Sequence, residues 1–178
     1  LSSSQIRIME EDMRRRIAGE PQTRVHGWKE FRGLRFAVTP DVHDPRPETE
    51  LIVDLALQYC QNPKRLLDLG TGSGCLIISL MKEWPEAEGV AVDLSPGALK
   101  VAAANAETHG VQDRIAFVRG DWADGTAGKF DLIIANPPYI RASAIPNLDK
   151  EVRNHDPILA LDGGQDGLQA YKKIFPAL

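Results

Sequence analysis

Short, nearly continuous apolar runs alternate along this chain with longer stretches in which apolar residues recur every three or four positions. The runs at 65–69, 89–94, 115–118 and 130–135 are too short for helices. They predict strands buried on both faces. A helix is predicted from about residue 48, with Leu51, Ile52, Leu55, Ala56 and Tyr59 as its apolar stripe. Another starts at Ser73 and carries Leu76, Ile77, Leu80 and Met81. A third opens at Ser95-Pro96, a cap followed by proline at the first helical position, and stops at Gly110. Residues 165–175 read as helical again. Strands alternating with helices of this length predict an α/β fold, a mostly parallel sheet with helices on both faces.

The region before the first of these strands reads differently. Residues 5–18 form a charged helix with Ile6, Met9 and Met13 at helical spacing, ended by Gly19-Glu20-Pro21. Residues 31–38 are extended, and Phe31-Arg32-Gly33-Leu34 marks a turn between short strands. Residues 40–47 hold three prolines and connect this hairpin to the rest. At the other end, Leu132-Ile133-Ile134 is apolar on both sides and should have a neighbour along each edge, because an exposed apolar edge invites aggregation. Little strand-forming sequence follows it. Further strands are therefore expected in the parent protein, and Leu1-Ser2-Ser3-Ser4 likewise reads as the start of a fragment.

A chain of 178 residues, 43% hydrophobic and 26% charged, is ordinary for a globular domain with a sizeable core. Its net charge of −4 counts against non-specific nucleic-acid binding. Arg14-Arg15-Arg16 is the local exception, either a solvated helix face or a contact patch for an acidic partner. Cys60 and Cys75 make neither a metal-type spacing nor a disulfide framework. Reduced thiols in the cytoplasm are expected, with no metal site, signal peptide or membrane span.

The candidate chemistry lies where the apolar runs end. Gly70-Thr71-Gly72-Ser73-Gly74 joins a strand to a helix, and its backbone can approach a ligand at the helix amino terminus. The G-x-G-x-G spacing differs from that of pyrophosphate-binding dinucleotide sites and suits an amino-acid carboxylate as well as a phosphate. Asp93 ends the next strand and can accept both hydroxyls of a ribose. Asp68 can meet a ligand ammonium or brace the loop. Trp122 can support a purine ring, with Asp121 beside it. Asn136-Pro137-Pro138-Tyr139 then ends the fourth run. The Asn136 side-chain oxygen and the Pro137 carbonyl can both accept from one planar NH₂ group, orienting it toward an electrophilic methyl. The prolines stiffen the loop, and Tyr139 can pack over a planar group.

With these motifs the sequence resembles the Rossmann-like class I methyltransferases that use S-adenosyl-L-methionine. More narrowly it resembles the protein-(glutamine-N5) methyltransferases of peptide chain release factors. The narrower resemblance rests on Phe31-Arg32-Gly33-Leu34-Arg35-Phe36-Ala37-Val38, Pro45-Arg46-Pro47-Glu48-Thr49-Glu50, Gly120-Asp121-Trp122, Asn136-Pro137-Pro138-Tyr139-Ile140 and Asp162-Gly163-Gly164-Gln165-Asp166-Gly167-Leu168. It implies that Gly70, Thr71, Gly72, Ser73, Gly74, Asp93, Trp122 and Asn136 contact the cofactor. It implies that Asn136, Pro137, Pro138 and Tyr139 hold the substrate glutamine of a release factor, and that Arg46 and Glu48 lie near the cofactor pocket. Residues 1–44 would be the remnant of a helical substrate-binding domain with hairpin and linker, and residues 45–178 an incomplete catalytic domain. The alternative is N6-adenine methylation of DNA or RNA, since adenine offers a similar planar NH₂; the negative charge counts against it. The sequence departs from the family at Val42-His43-Asp44-Pro45, which is polar where apolar residues are usual, and at Thr23-Arg24-Val25-His26, which lacks the usual aromatic.

Overall fold

The computed structural model describes residues 1–124 and 126–177. Helix α1 (Ser3–Ile17) and the short helix α2 (Gln22–His26) lead into an antiparallel hairpin, β1 (Trp28–Phe31) and β2 (Leu34–Ala37). The connector passes to α3 (Glu50–Tyr59), and then strands and helices alternate: β3 (Arg65–Leu69), α4 (Cys75–Glu83), β4 (Glu88–Asp93), α5 (Pro96–Thr108), β5 (Ile115–Arg119) and β6 (Leu132–Ala135). Two short helices follow, α6 (Lys150–His155) and α7 (Gln169–Ile174). The four later strands form one parallel sheet in the order β5-β4-β3-β6.

Period-two alternation assigns each strand residue to a face. Leu66, Ala91, Ile115 and Ile134 share a cluster with Val53 of α3, Ile77, Leu80 and Met81 of α4, and Ala106 of α5. Leu67, Leu69 and Val92 point to the opposite face, where Ile174 of α7 packs with Trp122 and Phe130. Gly89 lies directly beneath Ile77 and Met81, leaving no room for a side chain there.

The predicted stripe of α3 needs correction. Val53 and Ala56 are buried, with Ile52 and Leu57 packed against the same cluster, while Leu51, Leu55 and Tyr59 are exposed. The helix is apolar over a wider arc than α4 and the sheet cover. At β6, only β3 pairs with it among the described residues, and Ile133 is partly exposed.

The hairpin is part of the main core. Phe31 and Phe36 are fully buried in the cluster that includes the sheet, meeting edge to face at 6.1 Å. Residues on both sides of position 44 thus share one core. Helix α1 contributes no buried residue. The arginine run at its end is engaged within the chain: Arg14 with Glu11, Arg15 with Glu20, and Arg16 with Glu151.

From β3 the chain crosses to β4 on one side, whereas β6 lies on the other. The loops leaving β3 and β6 therefore diverge and open a crevice at the carboxyl ends of the strands. Ligands bind at such switch points in open α/β sheets.

Candidate active site

A cavity of about 660 Å³ occupies that crevice, within the range of roughly 300–1,000 Å³ usual for small-molecule sites. Gly70, Thr71, Gly72, Ser73, Asp93, Trp122, Asn136, Pro137 and Pro138 all line it. The two remaining predicted residues stand apart. Gly74 lies behind the loop, against Ile78 and Ala102, and Tyr139 is exposed at the surface.

The glycine loop is held from below. Gly70 and Thr71 both donate from their backbone N–H to the Val92 carbonyl at 2.9 Å. Gly70 has φ +74°, and a Cβ there would sit 3.3 Å from the Trp122 ring. Trp122 itself adopts φ +58°, a left-handed conformation that costs a bulky residue on the order of 1 kcal/mol or more. The two residues are thus fitted to each other at the cavity wall. Asp93 accepts from the Gly72 N–H and from the Ser95 N–H, each at 2.9 Å. One oxygen is spent on each, leaving further lone pairs for ribose hydroxyls. Asp121 pairs with Lys173 at 2.6 Å.

Asp68 is completely buried. Thr71 donates its hydroxyl to one carboxylate oxygen at 2.7 Å, and the other oxygen has no partner among the described residues. Burial pushes this carboxyl up to about 7; the Thr71 hydroxyl opposes the shift and the nearby Asp93 charge adds to it. Asp68 does not line the cavity, so of its two predicted roles the structure shows the brace, its carboxylate holding Thr71 from behind the loop. Without ligand, the folded state holds a proton that the unfolded state releases near pH 4. Stability is therefore greatest below that value and falls as pH rises toward 7, by up to about 1.4 kcal/mol per pH unit. Relative to Asp68→Asn, the ligand-free protein should lose stability between pH 5 and 7 and then level off. Urea midpoints of the two proteins that run parallel over this range would contradict the assignment.

The Asn136 side chain donates through Nδ2 to Thr49 Oγ1 at 3.2 Å. Among the described residues nothing donates to Asn136 Oδ1 or to the Pro137 carbonyl. Two acceptors are thus available in a rigid cavity loop. The segment behind them is braced by the glycines of 162–168. Gly163 donates to the Ile140 carbonyl at 2.8 Å, and Ile140 donates to the Leu161 carbonyl at 3.2 Å. Gly167, at φ +79°, lies so close that a Cβ would come within 2.5 Å of the Tyr139 carbonyl oxygen.

Other contributors were not singled out from the sequence. Arg46 lines the cavity as expected, but Glu48 is exposed, and the next residue, Thr49, faces Asn136 instead. Asp156 collects three basic side chains: Arg24 at 2.7 Å, Arg46 at 3.0 Å and His43 at 2.9 Å. Burial acts to raise its carboxyl, yet His43 and Arg24 outweigh that and hold it below the ordinary carboxylate value. Arg24 also donates to the Thr39 and Val42 carbonyls. This hub ties the connector to Pro157, Ile158, Leu159 and Ala160, which wall the cavity. Asn105 joins the hairpin to the glycine loop, accepting from the Ala37 N–H and donating to the Ser73 carbonyl. Neither Asp156 nor Asn105 carries a local sequence signal, because their partners are far away in the chain.

No cluster of metal-ligating side chains is present among the described residues, and no helix among them is long and apolar enough to cross a membrane. The donor set instead suits an organic ligand with a ribose, beside a clamp for a planar NH₂.

Comparison with known proteins agrees with this geometry. Residues 48–153 match the methyltransferase small domain family. A release factor glutamine methyltransferase from Agrobacterium fabrum is 46% identical over 166 residues, covering 90% of this chain and 57% of the relative. One from Bradyrhizobium diazoefficiens is 48% identical over 167 residues, covering 91% of this chain and 56% of the relative. The chain thus spans little more than half the length of these curated relatives. Among solved structures, the hMettl16 catalytic domain in complex with MAT2A 3'UTR hairpin 6 superposes with a TM-score of 0.60 at 19% identity, covering 82% of this chain and 56% of that one. At that identity the likeness is one of fold.

Proposed function

This chain belongs to the methyltransferase small domain family, and we propose that it methylates the side-chain amide N5 of a glutamine in the Gly-Gly-Gln loop of a peptide chain release factor, with S-adenosyl-L-methionine as methyl donor. The observation that carries this reading is the pair of open acceptors, Asn136 Oδ1 and the Pro137 carbonyl, set in the same cavity as the glycine loop and Asp93. The names and identities of the relatives support the choice of substrate.

The cavity residues fit the donor in kind. Gly70, Thr71, Gly72 and Ser73 would hold its amino-acid end, with Asp68 bracing Thr71 from behind the loop. Asp93 would take the ribose hydroxyls, and Trp122 would flank the base. Gly74 shapes the turn into α4 rather than touching ligand. Bound there, S-adenosyl-L-methionine supplies an electrophilic methyl on sulfur.

The chain's own task is to present a poor nucleophile. An amide nitrogen is weakly nucleophilic because its lone pair is delocalised into the carbonyl. Asn136 Oδ1 and the Pro137 carbonyl would each accept one N–H of the glutamine amide, fixing its plane and approach. As the nitrogen bonds to the methyl carbon and the methyl–sulfur bond breaks to leave a neutral thioether, its hydrogens become more acidic, so both hydrogen bonds strengthen in the transition state, and one of the two protons is then released to solvent. Pro137 and Pro138 keep the acceptors from moving, and Tyr139, exposed beside them, can cover the substrate loop. Residues 45–178 carry these sites, while the hairpin and connector of 1–44 support them from the shared core.

The engaged Arg14-Arg15-Arg16 run and the net charge of −4 leave nucleic acid a poor fit as substrate. A release factor places the reaction in the cytoplasm. With purified protein, methyl-labelled cofactor and a bacterial release factor, label should appear on the loop glutamine. Replacing that glutamine should abolish it; labelling that survives the replacement would defeat the proposal.

A further inference from the structure

Thr49 closes the 3₁₀ turn Pro47–Thr49 that runs into α3, and its backbone is helical (φ −69°, ψ −22°), so its hydroxyl makes no capping bond to its own helix. The side chain is buried, and its oxygen instead accepts from Asn136 Nδ2 at 3.2 Å, across 87 residues of sequence. The bond thus reaches from the start of α3 to the one side chain on which the NH₂ clamp depends.

We propose that Thr49 is the positioning residue for Asn136: it occupies the donating end of the amide so that Oδ1 is the end left to accept from substrate. This rests on the proposed methyl-transfer reading and extends it to a residue outside the clamp. An asparagine amide has one accepting and one donating end, 180° apart about its terminal torsion. Turned the wrong way, it would set its own NH₂ against the substrate NH₂, donor facing donor. A hydroxyl on a β-branched side chain has few rotamers and so defines where the amide plane lies. The backbone of Thr49 is fixed in turn, its N–H donating to the Arg46 carbonyl at 3.0 Å, and Arg46 is tied to Asp156. The 45–50 segment therefore sets the geometry of a loop it never joins in sequence. Burial alone would be met by any β-branched residue of this size; the hydroxyl adds the bond to Asn136.

The test uses Thr49→Val, which keeps the shape and removes the hydroxyl, and Thr49→Ser, which keeps the hydroxyl. With release factor as substrate, Thr49→Val should lower kcat by up to about tenfold, the upper end of what one net hydrogen bond contributes. Affinity for S-adenosyl-L-methionine should stay within about twofold, a margin far below that loss, and Thr49→Ser should restore most of the turnover. In an Asn136→Ala background, Thr49→Val should cause no further loss, because the two act as one unit. Equal, additive losses in both backgrounds, or failure of serine to restore turnover, would overturn the proposal. A second readout needs no substrate. The side-chain NH₂ resonances of Asn136, assigned by their disappearance in Asn136→Ala, should show one proton protected from exchange in the parent and in Thr49→Ser but not in Thr49→Val. Equal exchange in all three proteins would overturn the positioning role even if methyl transfer holds. Protection lost in Thr49→Val, in a protein that leaves release factor unmodified, would uphold Thr49 and reject the substrate.

Discussion

Asn136→Ala should lower the turnover of methyl transfer by roughly two to three orders of magnitude, the loss seen when one preorganised polar group facing a transition state is removed. The fall should lie in kcat far more than in cofactor affinity. The other groups proposed to face the cofactor, Gly70 to Ser73, Asp93 and Trp122, belong to other loops and keep their own supports. Asn136 is the only clamp group whose acceptor is a side chain; its companion, the Pro137 carbonyl, survives any substitution at 136. One acceptor can still bind the amide, but it cannot hold both hydrogens as they become acidic. Single-turnover rates and calorimetric cofactor titration separate the two effects. A variant that loses cofactor affinity and turnover in equal proportion would show that Asn136 serves mainly as a cofactor contact.

The second large effect is on folding. Asp156→Ala should destabilise the protein by about 3–5 kcal/mol, the usual result of removing one partner from a buried ion pair. The Asp156 and Arg24 side chains are only 3% and 4% exposed, so neither can exchange its partner for water. His43 and Arg46 would face the same vacancy. Asp156→Asn keeps the shape and some hydrogen bonding and should cost less. The pH dependence follows from the lowered carboxyl. A depressed value means the charged form is favoured in the folded state, so the contribution is present above the unfolded value near pH 4 and is lost as pH falls below it. Asp68 acts in the opposite direction between pH 4 and 7, so the two substitutions should change different limbs of the stability profile. An Asp156→Ala protein with an unchanged unfolding midpoint at pH 7 would contradict the hub.

Much of the fold follows from local patterning. The apolar runs at 65–69 and 130–135 and the motifs that end them place the glycine loop and Asn136 at one edge of a parallel sheet, because side chains and loops must emerge at strand ends. The order β5-β4-β3-β6 then brings these two loops together. Less was legible where a short element has no period to read. Gln22–His26 and Lys150–His155 are helices of five and six residues. The stripe of α3 was misjudged because Leu51, Leu55 and Tyr59 repeat every four residues as regularly as the half-buried Ile52 and the buried Ala56. Local pattern finds an apolar ridge but does not say which ridge a neighbour covers.

The supports of the site were hidden for a different reason. Thr49 reaches Asn136, Arg24 reaches Asp156 and Gly167 backs Tyr139 only after the chain has folded. The two departures from the family pattern illustrate this. Read separately, His43-Asp44 and Thr23-Arg24 are unrelated polar changes. In the structure Thr23 donates to Asp44, while Arg24 and His43 both meet Asp156. In this chain the polar residues of the two stretches therefore pair with one another and with Asp156, as a buried charge needs a partner.

The most direct measurement offers the protein a release factor and an adenine-containing single-stranded nucleic acid in one reaction with labelled S-adenosyl-L-methionine. The label should appear on glutamine N5 of the release factor, and Asn136→Ala should remove it from there. Label on adenine N6, with the glutamine left unmodified, would contradict the account.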